Sequence, residues 1–153
     1  MRVLSIGNSF SQDAQRYLRA LARAQGTELK CVNLYIGGCS LERHYAHLLT
    51  GADAYSLELG GESSGFFVGI REALLSDSWD VVTLQQASHF SEDFQTYIPY
   101  IDALAQEVRR CAPKARLCLH QTWAYEDGSA KLRSQGEGKT HDGMFACVRA
   151  AYR

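Results

Sequence analysis

Arg2-Val-Leu-Ser-Ile-Gly-Asn-Ser-Phe-Ser11 is the stretch that decides the fold. Val3, Leu4 and Ile6 form a short apolar run rich in β-branched residues, the pattern of a buried strand. Gly7-Asn8 ends the run, and Ser11 opens a longer amphipathic segment as a helix N-cap. The expected geometry is strand, sharp turn, helix, with Ser9 in the turn. A hydroxyl at that point stands at the carboxyl edge of a strand, beside helical N–H groups that favour developing negative charge. Such a position suits a nucleophile, and it equally suits Ser9 and Ser11 acting only as helix caps.

Working outward, Asp13 to Gln25 places Ala14, Tyr17, Leu18, Leu21, Ala22 and Ala24 at helical spacing, closed by Gly26. Cys31, Val32, Leu34, Tyr35 and Ile36 then form a second strand that stops at Gly37-Gly38. Strand, helix and strand make a βαβ unit, so the two strands are expected to be parallel with a right-handed crossover. Gly38 therefore falls at the same sheet edge as Ser9, the edge where open α/β sheets bind ligands. Glycine there lets the backbone approach a ligand, although a plain glycine turn has the same sequence.

The spacing predicts a helix over 41–50 with His44 and His47 on or near its surface. Tyr55 to Leu59 alternates like an exposed strand that Gly60-Gly61 turns into a small hairpin. A helix is expected from Phe67 to Ser76, a strand from Trp79 to Leu84, and a helix from Phe94 to Cys111. Another strand covers Ala115 to His120, followed by a charged loop over 127–138 and a final helix from His141 to Tyr152. The third and fourth of these parallel strands empty into Gln85-Gln86-Ala87-Ser88-His89 and Gln121-Thr122-Trp123-Ala124-Tyr125. Both polar segments belong at the active edge.

The totals set limits. A chain of 153 residues with two prolines and no Ser/Gly/Pro-rich linker reads as one domain, 1–153. A net charge of -1 gives no electrostatic case for nucleic acid or an anionic membrane. No apolar run approaches the ~20 residues of a membrane span, and Met1-Arg2 leads straight into the first strand without a signal peptide, which points to the cytoplasm. Five scattered cysteines without a CxxC pair are expected to be buried free thiols, as a reducing compartment allows. Glu42, His44, His47 and Asp53 lack the two-histidine i, i+4 spacing of a helical metal site and read as solvated surface. Gly60-Gly61 and Gly65 carry no phosphate-loop lysine, so nucleotide binding is not expected.

Four motifs, each after an expected strand, resemble the blocks of the SGNH/GDSL hydrolase superfamily, and together they look most like a bacterial branch of it. Gly7-Asn8-Ser9-Phe10-Ser11 is similar to the Gly-Asp-Ser block that carries the nucleophile. Gly38-Cys39-Ser40, after Asn33-Leu-Tyr-Ile-Gly, is similar to the block whose glycine N–H helps form an oxyanion hole. Leu84 to His89 lies where the third block places an asparagine, and His120-Gln121-Thr122-Trp123-Ala124-Tyr125 completes the set. The resemblance implies a flavodoxin-like α/β/α sandwich with a parallel sheet, C-terminally truncated in this chain.

It also implies a serine esterase acting on small acyl esters such as acetyl, on a carbohydrate, with no metal or organic cofactor. Ser9 is then the nucleophile, and the Ser9 and Gly38 amides with the Gln86 carboxamide form the oxyanion hole. Glutamine here stands where the family has asparagine. Asn8, Gln85, His89, His120, Gln121, Trp123 and Tyr125 are the implied substrate-binding residues. The superfamily's Asp-x-x-His block has no match, because Asp142 follows His141 instead of preceding it by three. His89, His120 and His141 are the histidines available as a base. The rival expectation is a carbohydrate or small-ligand binding domain on the same scaffold, and an unpaired sheet edge would allow a homo-oligomer.

Overall fold

The computed structural model describes residues 1–153 and has one six-stranded sheet with helices packed against it. Its strands are β1 (Arg2–Gly7), β2 (Lys30–Tyr35), β3 (Tyr55–Leu59), β4 (Glu62–Val68), β5 (Val81–Leu84) and β6 (Arg116–Leu119). The spatial order is β4-β3-β2-β1-β5-β6. β2, β1, β5 and β6 are parallel, with Ile6 in register with Leu34 and Leu84, while β3 and β4 join antiparallel. The parallel half is the expected one. The hairpin turned by Gly60-Gly61 is not a separate exposed element: β3 lies inside the sheet, with Tyr55 and Glu58 buried.

Period-two alternation sends Leu4, Ile6, Val32, Leu34, Val82 and Leu84 to one face. They form the main core with Leu41 and Leu48 of α3 (Leu41–Thr50), Ile70 and Leu74 of α4 (Ile70–Leu75), and Leu104 and Val108 of α5 (Tyr100–Cys111). The other face carries Ser5 and Asn33 and lies under α1 (Ser9–Arg16) and α2 (Leu18–Ala24). A small second core of Ala124, Leu132, Met144 and Val148 ties α6 (Ala130–Ser134) to α7 (His141–Ala151). No helix is long and apolar enough to cross a membrane.

Several expectations need correction. The helix after β1 begins at Ser9, two residues before the expected cap. Asn8 is the N-cap, taking the Phe10 N–H on its side chain, while Ser11 turns inward and donates to the Asn8 carbonyl. The expected single helix over 13–25 breaks at Tyr17, and Ala14, Tyr17, Leu18 and Leu21 point outward. Phe67 belongs to β4, so the next helix starts only at Ile70. Phe94–Thr96 is a single 3₁₀ turn, and α5 starts after Pro99, because proline lacks an N–H and bars helical geometry from the residue before it. The loop 127–138 contains α6, capped by Ser129. His44 is fully buried, not at the surface, and His47 is half-buried. Of the five free thiols only Cys31 and Cys39 are buried, and Cys147 is exposed.

Candidate active site

The carboxyl ends of β1, β2 and β5 are tied together by two carboxamides. Asn8, 1% exposed, donates from Nδ2 to the Cys39 carbonyl at 3.2 Å. Its Oδ1 accepts the Phe10 N–H and, at 2.8 Å, the Gln85 Nε2. Gln86 accepts the Leu41 N–H at 3.0 Å on Oε1 and gives Nε2 to the Thr96 carbonyl at 2.9 Å. The first, second and third junctions thus surround one small space. Gly7 is required by this closeness: a Cβ on it would meet Ser11 Oγ at 2.5 Å and Gln85 Oε1 at 2.7 Å.

Ser9 stands exposed at the first turn of α1, and neighbouring Phe10 is buried. Gly38 adopts φ 61, a left-handed conformation that favours glycine, with open space where a side chain would stand. The Ser9 and Gly38 amides have no hydrogen-bond acceptor within the protein. Two free N–H groups beside a hydroxyl at a helix N-terminus can hold an oxyanion.

The two glutamines serve differently from the expected scheme. Gln86 uses its Oε1 on Leu41 and Ala87 and its Nε2 on both Thr96 oxygens, which leaves it no hydrogen for a ligand. It braces the cleft. Gln85 and Asn8 are likewise buried and committed to each other, so they shape the floor and do not face substrate.

The expected aromatic side of the site divides. Trp123 is 51% exposed and packs on Phe10, the residue after Ser9, with ring centroids 4.1 Å apart. With Tyr125 and His141 it lines a cleft of about 410 Å³. The Tyr125 hydroxyl meets Ser88 Oγ at 2.5 Å, and Lys131 sits over its ring. Gln121 is exposed, and exposed His89 packs against Phe90 at 4.2 Å. His120 is half-buried; burial lowers its pKa, and its carbonyl takes the Tyr152 hydroxyl at 2.9 Å.

His141 is arranged otherwise. Its Nδ1 lies 3.0 Å from the Tyr125 carbonyl, which can only accept. The neutral ring therefore carries its proton on Nδ1 and keeps a lone pair on Nε2.

Below Gly38, burial pushes the Cys39 thiol up to about 12, which makes it inert at neutral pH. Cys39 and Tyr55 both face Nδ1 of His44, at 3.5 and 2.8 Å. Burial, with help from His47 and Arg43, lowers His44 to about 3. No cluster of three or more His, Cys, Asp or Glu side chains could hold a metal ion. A cleft of about 700 Å³ opens at the opposite rim among Arg2, Arg19, Arg23 and Lys30, and none of its lining carries the four motifs.

Sequence reasoning missed the Phe90–Tyr100 wall beside Gln86, and the polar set that seats α1. In that set Gln15 Nε2 donates to Ser5 Oγ at 2.7 Å, and Glu58 holds Gln12 and Asn33. Asn33, a carboxamide inside an otherwise apolar strand, was the available signal.

The sheet order, the flanking helices and the converging junctions define a mixed α/β protein of the SGNH-hydrolase kind of fold. The family model "Domain of unknown function (DUF4886)" matches residues 2–151, and the chain belongs to that family. A DUF4886 family protein from Bacteroides uniformis superposes with a TM-score of 0.89 at 33% identity, covering 99% of this chain and 61% of that one. This chain thus spans about three-fifths of that relative's length. A candidate SGNH hydrolase from Slackia heliotrinireducens superposes with a TM-score of 0.65 at 25% identity, covering 99% of this chain and 71% of that one. Among curated proteins, none matches the sequence.

Proposed function

We propose that this protein is a serine esterase of SGNH type that removes a small acyl group, such as acetyl, from a hydroxyl-bearing carrier of the carbohydrate class. In this reading the Ser9 hydroxyl oxygen attacks the ester carbonyl carbon and its proton passes to a base. The carbonyl oxygen, now negative, is held by the Ser9 and Gly38 amides. Collapse of the intermediate breaks the carbonyl–alkoxy bond, the base returns the proton to the departing alcohol, and water hydrolyses the acyl-enzyme by the same route. The chemistry calls for no metal or organic cofactor. Exposed Trp123, packed on Phe10, offers a flat face to a sugar ring.

The observation that carries the reading is the pair of amides at Ser9 and Gly38 without partners in the protein, on turns that Asn8 ties together through Cys39 and Gln85. Among the histidines at this edge, His141 keeps Nδ1 on the Tyr125 carbonyl and leaves Nε2 to take a proton, which makes it the base of this reading.

Hydrolysis of p-nitrophenyl acetate is the test. Ser9→Ala and His141→Gln are each expected to remove most of the turnover, leaving at most the ~10³-fold residue over water that oxyanion binding supplies. A near-wild-type rate in Ser9→Ala ends the esterase reading. A rate lost with Ser9 and indifferent to His141 places the base elsewhere in the protein. One rival is a carbohydrate-binding domain on the same scaffold, which exposed Trp123 would equally suit. That rival predicts sugar binding without turnover, unchanged by Ser9→Ala.

A further inference from the structure

A second cleft of about 280 Å³ lies between Ser40 and Glu42, at the start of α3, and the Phe90–Tyr100 segment, with Gln86 in its lining. Gln86 forms its floor and fixes its width, because this one buried side chain bonds Leu41, Ala87 and Thr96 together. Two large apolar side chains are left facing solvent on its wall, Phe90 at 41% and Ile98 at 44% exposure. Glu42 sits on the rim, its carboxylate accepting the Tyr100 hydroxyl at 3.1 Å.

We infer that this cleft is the acyl subsite, and that it takes neutral, unbranched acyl groups from acetyl, its shortest member, up to the butyryl-to-hexanoyl class, which fill it better. The inference rests on the esterase reading, since it assigns one side of the ester. An ester held at the Ser9 and Gly38 amides has two substituents. The open aromatic cleft at Trp123 suits the ring of the alcohol, which leaves the acyl chain to the Ser40–Gln86 side. There it covers the bare faces of Phe90 and Ile98. The space equals about nine water volumes at ~30 Å³ each, well beyond what the methyl of acetate fills. The Glu42 carboxylate disfavours acyl groups that end in a carboxylate.

The experiment measures kcat/KM of the chain on p-nitrophenyl acetate, butyrate, hexanoate and decanoate, with Ser9→Ala as control. Burying a methylene is worth roughly a four-fold gain, so the constant is expected to rise by two- to four-fold per methylene up to hexanoate and then level. Ile98→Trp fills the cleft and is expected to cut the hexanoate-to-acetate ratio at least ten-fold. Phe90→Ser, at an exposed position, is expected to lower the same ratio several-fold and gives a second measure if the tryptophan variant does not fold. A Ser9-dependent rate that is flat or falls with chain length overturns the subsite and leaves the esterase standing. So does a rising profile that neither variant changes. Absence of Ser9-dependent hydrolysis with every ester overturns both.

Discussion

The two faces of the sheet are held in opposite ways. Under α3, α4 and α5 the strands present Leu4, Ile6, Leu34, Val82 and Leu84, and the contact is apolar throughout. Under α1 the same strands present Ser5 and Asn33, and the helix answers with Gln12 and Gln15. Apolar burial is strong and tolerant of small shifts, because it has no direction. Hydrogen bonds from carboxamide side chains contribute less, about 1 kcal/mol each, and fix both distance and angle. α1 is the helix that carries Ser9. The face that supplies most of the stability is therefore separate from the one that sets the position of the reactive hydroxyl.

The largest effect is expected on the apolar side. Leu34 is 0% exposed in the centre of the core. Leu34→Ala should cost about 3–4 kcal/mol, the usual sum of lost transfer energy and residual cavity. Urea denaturation measures it. A loss below about 1 kcal/mol would mean that the face under α3–α5 is not the main store of stability.

Acid sharpens the same contrast, because one imidazole is enclosed at the rim of the apolar layer. His44 faces the Tyr55 hydroxyl, the Cys39 thiol, His47 and Arg43, none of them an acid that could hold its proton. Its pKa is about 3 in the folded protein and near 6.5 when unfolded. The unfolded chain thus takes up a proton that the native state refuses. Stability is complete above pH 6.5 and declines as pH falls towards 3, at up to about 1.4 kcal/mol per unit. Glu107 acts lower: Arg110 and Arg71 hold its carboxyl at about 2, so its contribution is lost only between pH 4.5 and 2. His47 and His120 are lowered as well and add to the slope above 4.5. The readout is accordingly the difference between the native protein and His44→Gln between pH 6.5 and 4.5. Equal slopes for the two would remove His44 as the cause.

A smaller effect is expected on the polar side. Gln15→Ala strips the Ser5 hydroxyl and the Val32 carbonyl of their shared donor, at a cost of about 1–2 kcal/mol. If these bonds orient α1, kcat for ester hydrolysis should fall by more than the unfolded fraction accounts for. Wild-type kcat in a folded variant would show that the apolar layer alone positions Ser9.

The difference between the faces also explains what the sequence made legible. The four parallel strands were readable because each is an apolar run that ends at glycine or a polar cluster, and the hairpin only in its first strand, the alternating run Tyr55–Leu59 that Gly60-Gly61 closes. The site's frame came with them, since the ends of parallel strands must share an edge. Which glutamine does what was not readable. Gln85 and Gln86 are the same residue on neighbouring positions, and their partners, Asn8 and Thr96, lie 77 and 10 residues away. The direction of α1 and α2 was misread for a related reason. A helical period states which residues share a side, and burial of that side is only the commoner outcome. Here Phe10, Ser11 and Gln15 go inward, and the more apolar stripe goes out.

That stripe gives the smallest expected effect. Leu21 is 64% exposed, and Tyr17 beside it is as open. Leu21→Gln should change stability by no more than about 0.5 kcal/mol, as surface positions do. Even so small a change is informative, because Ala14, Tyr17, Leu18 and Leu21 follow a spacing that usually means a buried side. A loss above about 1 kcal/mol would show that this stripe is covered in solution. The polar seat of α1 would then be one half of a sandwiched helix, and the contrast between the two faces would lie between layers instead of between sides of the sheet.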